Sequence, residues 1–294
     1  MARRQPEPDL SANRPGGVGL SRRRAPERLD GLVDSHAHLQ HARFDADRDA
    51  VLDRARQAGL ERILVPGWDI ASSEAALELA DRHPGVIQAA IGVHPHHAAG
   101  MDEAAWARLE SLAADPRTMA IGEIGLDHYR NLSPPASQRD AFARQLELAA
   151  QHGLPVLVHD RDAHAEVTDL LLGWSAGLPA GPRGVLHAFS GNATMAERLV
   201  ASGFLVSFAL PVAFRSASGP REAAASLPDG SFLVETDAPY LGPDRERRNE
   251  PAGVLRVATE IARLRTVDVA EVVAPVRTAY ESLIGRRSSV SSPS

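Results

Sequence analysis

The 294-residue sequence predicts a single α/β domain of the (β/α)8 TIM-barrel class. Three observations predict it. Eight short apolar runs, several rich in Val and Ile and most bounded by Gly or Pro, have the character of strands buried on both faces of a parallel sheet. Amphipathic stretches of helical period alternate with them, and regular alternation of this kind implies parallel βαβ units, eight of which suggest a barrel. The polar residues that interrupt the runs sit at their C-terminal ends, the side on which barrels build active sites. A doubly wound open sheet is the alternative reading. The sequence shows no internal repeat.

In chain order the runs are GLVDS, RILVPG, VIQAAIGV, TMAIGEIG, PVLVHD, RGVLHAF, FLVSFAL and FLVETD. Between them AVLDRARQAG, SSEAALELADRHPG, DEAAWARLESLAADP and NATMAERLVASG read as helices. SPPASQRDAFARQLELAAQHGLP is the clearest helix: Ser133 is a candidate N-cap with Pro134 after it, Phe142, Leu146, Ala149 and Ala150 recur at helical spacing, and Gly153 followed by Pro155 closes it. Residues 1–28 are rich in Pro, Gly, Ser and Arg without periodicity and are expected to be a disordered tail, as are residues 286–294, which leaves 29–285 for the barrel.

The hydrophobic content of 44% allows a large core, and no apolar run approaches the length of a membrane span. The first seventeen residues carry basic side chains with no apolar stretch behind them, so no secretory signal is expected and a cytoplasmic location is the default. The absence of cysteine excludes disulfides, thiolate metal sites and thiol nucleophiles. The net charge of −6 argues against broad nucleic-acid binding but leaves room for a local arginine cluster. All 32 basic side chains are arginines, which excludes Schiff-base chemistry, a P-loop lysine and a carboxylated lysine bridging two metals.

His36 and His38 follow the first run, and residues two apart on an extended strand point to the same side. Glu123, His159, His187 and Asp237 end the fourth, fifth, sixth and eighth runs. A βα unit takes roughly 30 residues or more. The intervals of 85, 36, 28 and 50 residues from His38 through these four therefore count off strands one, four, five, six and eight. In a closed barrel strand eight lies beside strand one, so all six can converge. A lone histidine at a strand end is more often a hydrogen-bonded structural residue, and a lone carboxylate is often a helix cap. Four imidazoles and two carboxylates aimed at one mouth fit a dinuclear metal site better. With no lysine to carboxylate, a carboxylate must bridge the pair, and Glu123 is the natural candidate. His41, His83, His97, His152 and His164 fall in helices, helix ends or loops and read as structural.

The stretches DSHAHL (34–39), GVHPHHA (92–98), IGEIGLDHYR (121–130), LPVLVHDRDA (154–163), LHAFSG (186–191), FLVETDAPYL (232–241) and RNEP (248–251) together resemble the TatD-type metal-dependent DNases, a family within the amidohydrolase-like barrels. The resemblance runs from about residue 30 to 284 with the motifs in the family's order. It implies that His36, His38 and Asp237 hold one divalent metal, that His159 and His187 hold a second, and that Glu123 bridges them. It implies a barrel of the metal-dependent hydrolase type, an exonuclease that cleaves phosphodiester bonds at the ends of DNA or RNA with a metal-activated water, with Glu123 and Asp237 as catalytic carboxylates and Asp237 as the base toward that water. Two departures stand out: AYESLIG (279–285) replaces an Asn-containing close, and His128 precedes Tyr129 where an aromatic residue often follows the GLD.

Arg161, His94, His96 and Arg248 are candidate substrate contacts, each with a competing structural reading. Arg161 reads nearly as well as a solvated arginine at a helix start, and His94 and His96 as loop packing around Pro95. Four histidines suit Zn or Mn better than Mg, whereas the resemblance implies Mg-supported nuclease activity, so the expectation is two divalent cations, Mg, Mn or Zn. No obligate protein partner is expected. The rival function is hydrolysis of a small amide, lactone or phosphoester on the same metal pair. A non-catalytic scaffold is disfavoured, because structural metal sites are usually closed.

Overall fold

The computed structural model describes residues 27–179, 181–243 and 247–285. The tail expected over 1–28 lies outside these residues except for its last two, and the tail expected over 286–294 lies wholly outside them. Every apolar run becomes a strand: β1 (Leu32–Asp34), β2 (Leu60–Pro66), β3 (Ile87–Ile91), β4 (Thr118–Asp127), β5 (Val156–Arg161), β6 (Gly184–Leu186), β7 (Phe204–Phe208) and β8 (Phe232–Val234). All neighbours pair in parallel and in chain order, so the open doubly wound sheet is ruled out.

β8 is joined back to β1 just beyond the named strands. Ser35 N donates to Val234 O (3.1 Å), Asp237 N to His36 O (2.8 Å) and His38 N to Ala238 O (2.7 Å). One side chain reinforces this closure. Asp34 Oδ1 accepts the backbone N–H groups of His36 (3.2 Å) and Thr236 (2.9 Å), and its Oδ2 accepts the Thr236 hydroxyl at 2.5 Å. Burial pushes the Asp34 carboxyl up to about 8, against the pull of those bonds.

The outer ring is α1 (Arg48–Gln57), α2 (Ile70–Arg82), α3 (Glu103–Ala114), α4 (Pro135–His152), α5 (His164–Ser175), α6 (Ala193–Ala201), α7 (Ser218–Ser226), α8 (Val254–Arg265) and α9 (Val269–Ile284). No helix among the described residues is long and apolar enough to cross a membrane. α4 shows how one element is made. Its buried face is Ala141, Phe142, Gln145, Leu146, Leu148 and Ala149, and Gly153 closes it in the left-handed region at φ 62°. Two expectations fail in detail. Ala150 is exposed, one position round from the core stripe. Ser133 does not cap the helix, which starts one residue later behind Pro134; its hydroxyl instead accepts Ala99 N (3.1 Å) and donates to His96 O (2.9 Å). Ser133 thereby fastens the loop after β3 to the loop after β4, both of which border the site. The departing segment AYESLIG belongs to α9, where buried Tyr280 donates to Gln88 Oε1 on β3 at 2.7 Å.

Candidate metal centre

Just past β1, Ala37 bridges to Ala238 in parallel, and His36 and His38 on either side of it bring their Nε2 atoms within 3.1 Å. Glu123 and His159, expected at strand ends, lie instead inside longer strands. β4 runs on through Asp127 and β5 through Arg161 because the two keep pairing past the site: Gly125 with His159, Leu126 with Asp160, Asp127 with Arg161. The register between them slips between Ile121 and Ile124, and Glu123 N donates across to Gly67 O at 2.8 Å. Glycine is required within that slip and just past it. A Cβ at Gly122 would stand 2.5 Å from Leu157 Cβ, and one at Gly125, whose φ is +139°, would stand 2.0 Å from His159 O. The tight approach of backbone to backbone is what lets Glu123 and His159 meet.

The six rim residues do converge, around one carboxylate. Glu123 Oε2 lies 3.3 Å from His36 Nε2 and 3.5 Å from His38 Nε2, and Asp237 Oδ1 lies 3.7 and 3.5 Å from the same two nitrogens. Glu123 Oε1 lies 2.9 Å from both His159 Nδ1 and His187 Nε2, which are 3.1 Å apart. The two oxygens of Glu123 thus face two different histidine pairs, and the His36 and His187 rings stack at 4.1 Å between centroids behind it.

The chemistry of the donor set suits cations. A ligand imidazole normally donates its far N–H to an acceptor, which turns the near lone pair toward the metal. His38 Nδ1 meets this with Pro66 O at 3.3 Å; His159 Nε2 and His187 Nδ1 lie near Asp127 Oδ2 (3.5 Å) and Glu235 Oε1 (3.4 Å) without completing a hydrogen bond, and buried His36 Nδ1 has no partner. Within each of the groups His36–His38–Asp237, His36–Glu123–His187 and His94–Glu123–His159, the ligand atoms lie within 4.8 Å of one another.

His94 answers differently to the same test, although it stands 3.4 Å from Glu123 Oε1. Its Nδ1 accepts the His96 N–H at 3.1 Å, so a neutral His94 carries its proton on Nε2, the atom that faces Glu123. Burial lowers its pKa to about 3, outweighing Glu123, so it is neutral at ordinary pH. Proximity groups it with the ligands, but the tautomer makes it a hydrogen-bond donor.

The electrostatics follow from crowding. Burial opposes the charge on Glu123, but His187, His94 and His36 outweigh it and hold the carboxylate well below its usual range. Burial likewise works against protonated His187, His159 and His38, yet all three are raised: His187 by Glu123 and Glu235, His159 by Asp127 and Glu123, His38 by Asp237 and Glu123. His36 is lowered, by burial and then by His187.

The candidate substrate contacts separate. Arg161 is exposed on the rim with its guanidinium carbon 4.8 Å from the centre of the Tyr129 ring. His96 is bonded through Nε2 to Asp127 Oδ2 at 2.6 Å. The structure does not bring Arg248 to the six residues: its guanidinium binds Asp47, Glu250 and the Arg43 carbonyl and lies over Phe44 at 4.6 Å, a brace between two loops. Asp127 and Glu235 were missed as site residues. Asp127 Oδ2 bonds His96 and lies 3.5 Å from His159 Nε2, while Oδ1 accepts the N–H groups of Tyr129 (3.0 Å) and Arg130 (2.7 Å). Asp127→Asn keeps the loop bonds on Oδ1 and is expected to weaken metal affinity about 10- to 100-fold, as loss of a ligand's outer partner does. Calorimetric metal titration checks it; unchanged affinity would show that the aspartate serves only the loop.

Compared with known proteins, the chain matches the family described as TatD related DNase over residues 33–285. It is 37% identical over 243 residues to Bacillus subtilis (strain 168) YabD, described as an uncharacterized metal-dependent hydrolase, covering 82% of this chain and 94% of that relative. It is 37% identical over 244 residues to the 3′-5′ ssDNA/RNA exonuclease TatD of Musicola paradisiaca (strain Ech703), covering 81% of this chain and 91% of the relative. Among solved structures it resembles YjjV, a TatD homologue from Escherichia coli K12, with a TM-score of 0.80 and 30% identity over 87% of this chain and 98% of that one.

Proposed function

Because the chain belongs to the TatD-related DNase family of metal-dependent hydrolases, we propose that it is an exonuclease that shortens single-stranded DNA or RNA with two divalent cations, Mg, Mn or Zn. The observation that carries this reading is the placement of the two Glu123 oxygens against two separate histidine pairs. His36, His38 and Asp237 would hold one cation, His159 and His187 the other, with Glu123 shared. Bound there, divalent cations supply Lewis acidity that brings water into reach of deprotonation near neutral pH and offsets phosphate charge.

The chain's own residues do the rest. Asp237 lies at the edge of the cluster, less enclosed than Glu123, and is held ionised by His38 and His36 against burial. In this reading it takes the proton of the attacking water and returns it to the leaving sugar oxygen as that oxygen's bond to phosphorus breaks. Its low pKa makes that acceptance transient. His94 offers an Nε2–H beside Glu123, where it can bond an oxygen of the phosphate as charge develops. Support for a nucleic-acid substrate comes from the family and from relatives named as ssDNA/RNA exonucleases.

The test is digestion of end-labelled single-stranded oligonucleotides with free or blocked 3′ ends in Mg, Mn or Zn, beside a panel of small esters and lactones. Stepwise shortening from the free 3′ end is expected. Intact oligonucleotides with a cleaved small ester would overturn it. His94→Ala is expected to keep the full metal content by elemental analysis while kcat drops about 100-fold, the loss typical of one donor to developing negative charge. Loss of an ion from that variant would make His94 a ligand instead.

A further inference from the structure

Five large apolar side chains are exposed among the described residues: Tyr129 (51%), Leu132 (60%), Phe214 (52%), Tyr240 (46%) and Val267 (39%). Singly, such residues need no explanation. Their placement does. Val267 lies between α8 and α9, but the other four all lie in loops that follow β4, β7 and β8, on the side of the barrel where the centre opens. Both tyrosines have an arginine close by in space, and Phe214 has one next in sequence. Arg161 lies over Tyr129 at 4.8 Å, and exposed Arg215 follows Phe214 in sequence. Arg43, bonded to Pro239 O at 3.4 Å, reaches the residue before Tyr240. In a chain of net charge −6, arginines paired with bare rings at the mouth form a local exception.

Two of these rings flank the centre on different sides. The Tyr240 ring is 6.0 Å from that of His38 and 5.8 Å from that of His41, and Trp68 is 5.3 Å from His38, so Tyr240, His41 and Trp68 form an aromatic wall on the His36–His38 side. Tyr129 hangs from Asp127, the carboxylate that faces His159, and so stands on the His159–His187 side. Resting on the exonuclease reading, we propose that Tyr240 with Trp68, and Tyr129 with Arg161, are base-stacking platforms for the nucleotides on the two sides of the scissile phosphodiester. An unpaired base can lay its face on an exposed ring, and a guanidinium beside the ring can hold the adjoining phosphate. A paired base has both faces covered by its neighbours in the duplex. On this view the preference for unpaired ends comes from these rings and not from the metals. The ligand recognised is a nucleotide with its base attached, of any sequence, since every base has a face to stack.

The test compares a single-stranded oligonucleotide with the same strand carrying an abasic residue on one or the other side of the terminal phosphodiester. The wild-type protein is expected to cleave the ordinary strand with kcat/KM about 5- to 150-fold higher than either abasic one, the range that stacking one base on one ring produces. Tyr240→Ala should abolish that discrimination on one side only and Tyr129→Ala on the other, each with unchanged metal content, while Tyr240→Phe should retain it. Equal cleavage of abasic and ordinary strands by the wild-type protein would sink the platforms and leave the exonuclease reading intact. Discrimination that survives in both alanine variants would equally sink them. If no strand is cleaved, the exonuclease reading fails and the platforms fall with it.

Discussion

Glu123→Ala is expected to lose both cations and at least about 1,000-fold of kcat. Removing a single preorganised group from such a site typically costs about 100- to 1,000-fold, and this one touches all four histidines of the proposed ligand set. The companion variant sharpens the result. Glu123→Gln keeps the shape but offers one oxygen and one N–H group, so it can serve only one of the two histidine pairs, and it should hold no more than one ion. His159→Ala should lose only the ion on its own side. Elemental analysis of the purified proteins reads the metal content, and kcat on a single-stranded oligonucleotide reads the activity. Two tightly held ions in Glu123→Gln would refute the bridge.

The second large effect is on the fold. Gly125→Ala is expected to destabilise the protein by about 3 kcal/mol or more. The added Cβ would meet His159 O at 2.0 Å, with a φ of +139° that a side chain tolerates poorly. Overpacking costs about 1–3 kcal/mol and backbone strain of this kind about 1–3 kcal/mol more. Urea unfolding should show a lower midpoint at constant slope. Whatever fraction folds should bind metal more weakly at the His159–His187 side than at His36–His38, because relief of the clash moves β5 away from β4. A midpoint equal to that of the parent would mean the strands have room to part.

Much of this molecule is legible in the amino-acid order, for a reason that β4 and β5 also show to be limited. Apolar runs and their spacing depend on chain-local chemistry, so strand count, barrel order and the meeting of His36, His38, Glu123, His159, His187 and Asp237 can be read in advance. Where a strand ends is a pairing question. β4 and β5 continue past Glu123 and His159 because each supplies the other's hydrogen bonds, and nothing within either segment alone announces that. Asp127 and Glu235 stand only four and two residues from Glu123 and Asp237, but strand alternation does not place them, since Gly125 at φ 139° interrupts β4 and Asp237, past the end of β8, sits at φ 55°. The fate of His94 was not legible, since it turns on whether one ring nitrogen accepts an N–H from His96. Arg248 misleads for a similar reason: its neighbours in sequence suggest the mouth, while Asp47 and Phe44, remote in sequence, hold it elsewhere.

The seam between β8 and β1 has a consequence for the order in which this protein comes into being. His36 and His38 are synthesised early, and Asp237, whose N–H bonds the His36 carbonyl at 2.8 Å, follows about 200 residues later. Until that late segment arrives and the ring shuts, the first three-residue cradle lacks its carboxylate and Asp34 lacks Thr236. A growing or prematurely ended chain therefore carries histidines without the arrangement that makes them hydrolytic. On the proposed ligand set, a chain that lacks the last strand would be inactive however well its other strands had formed.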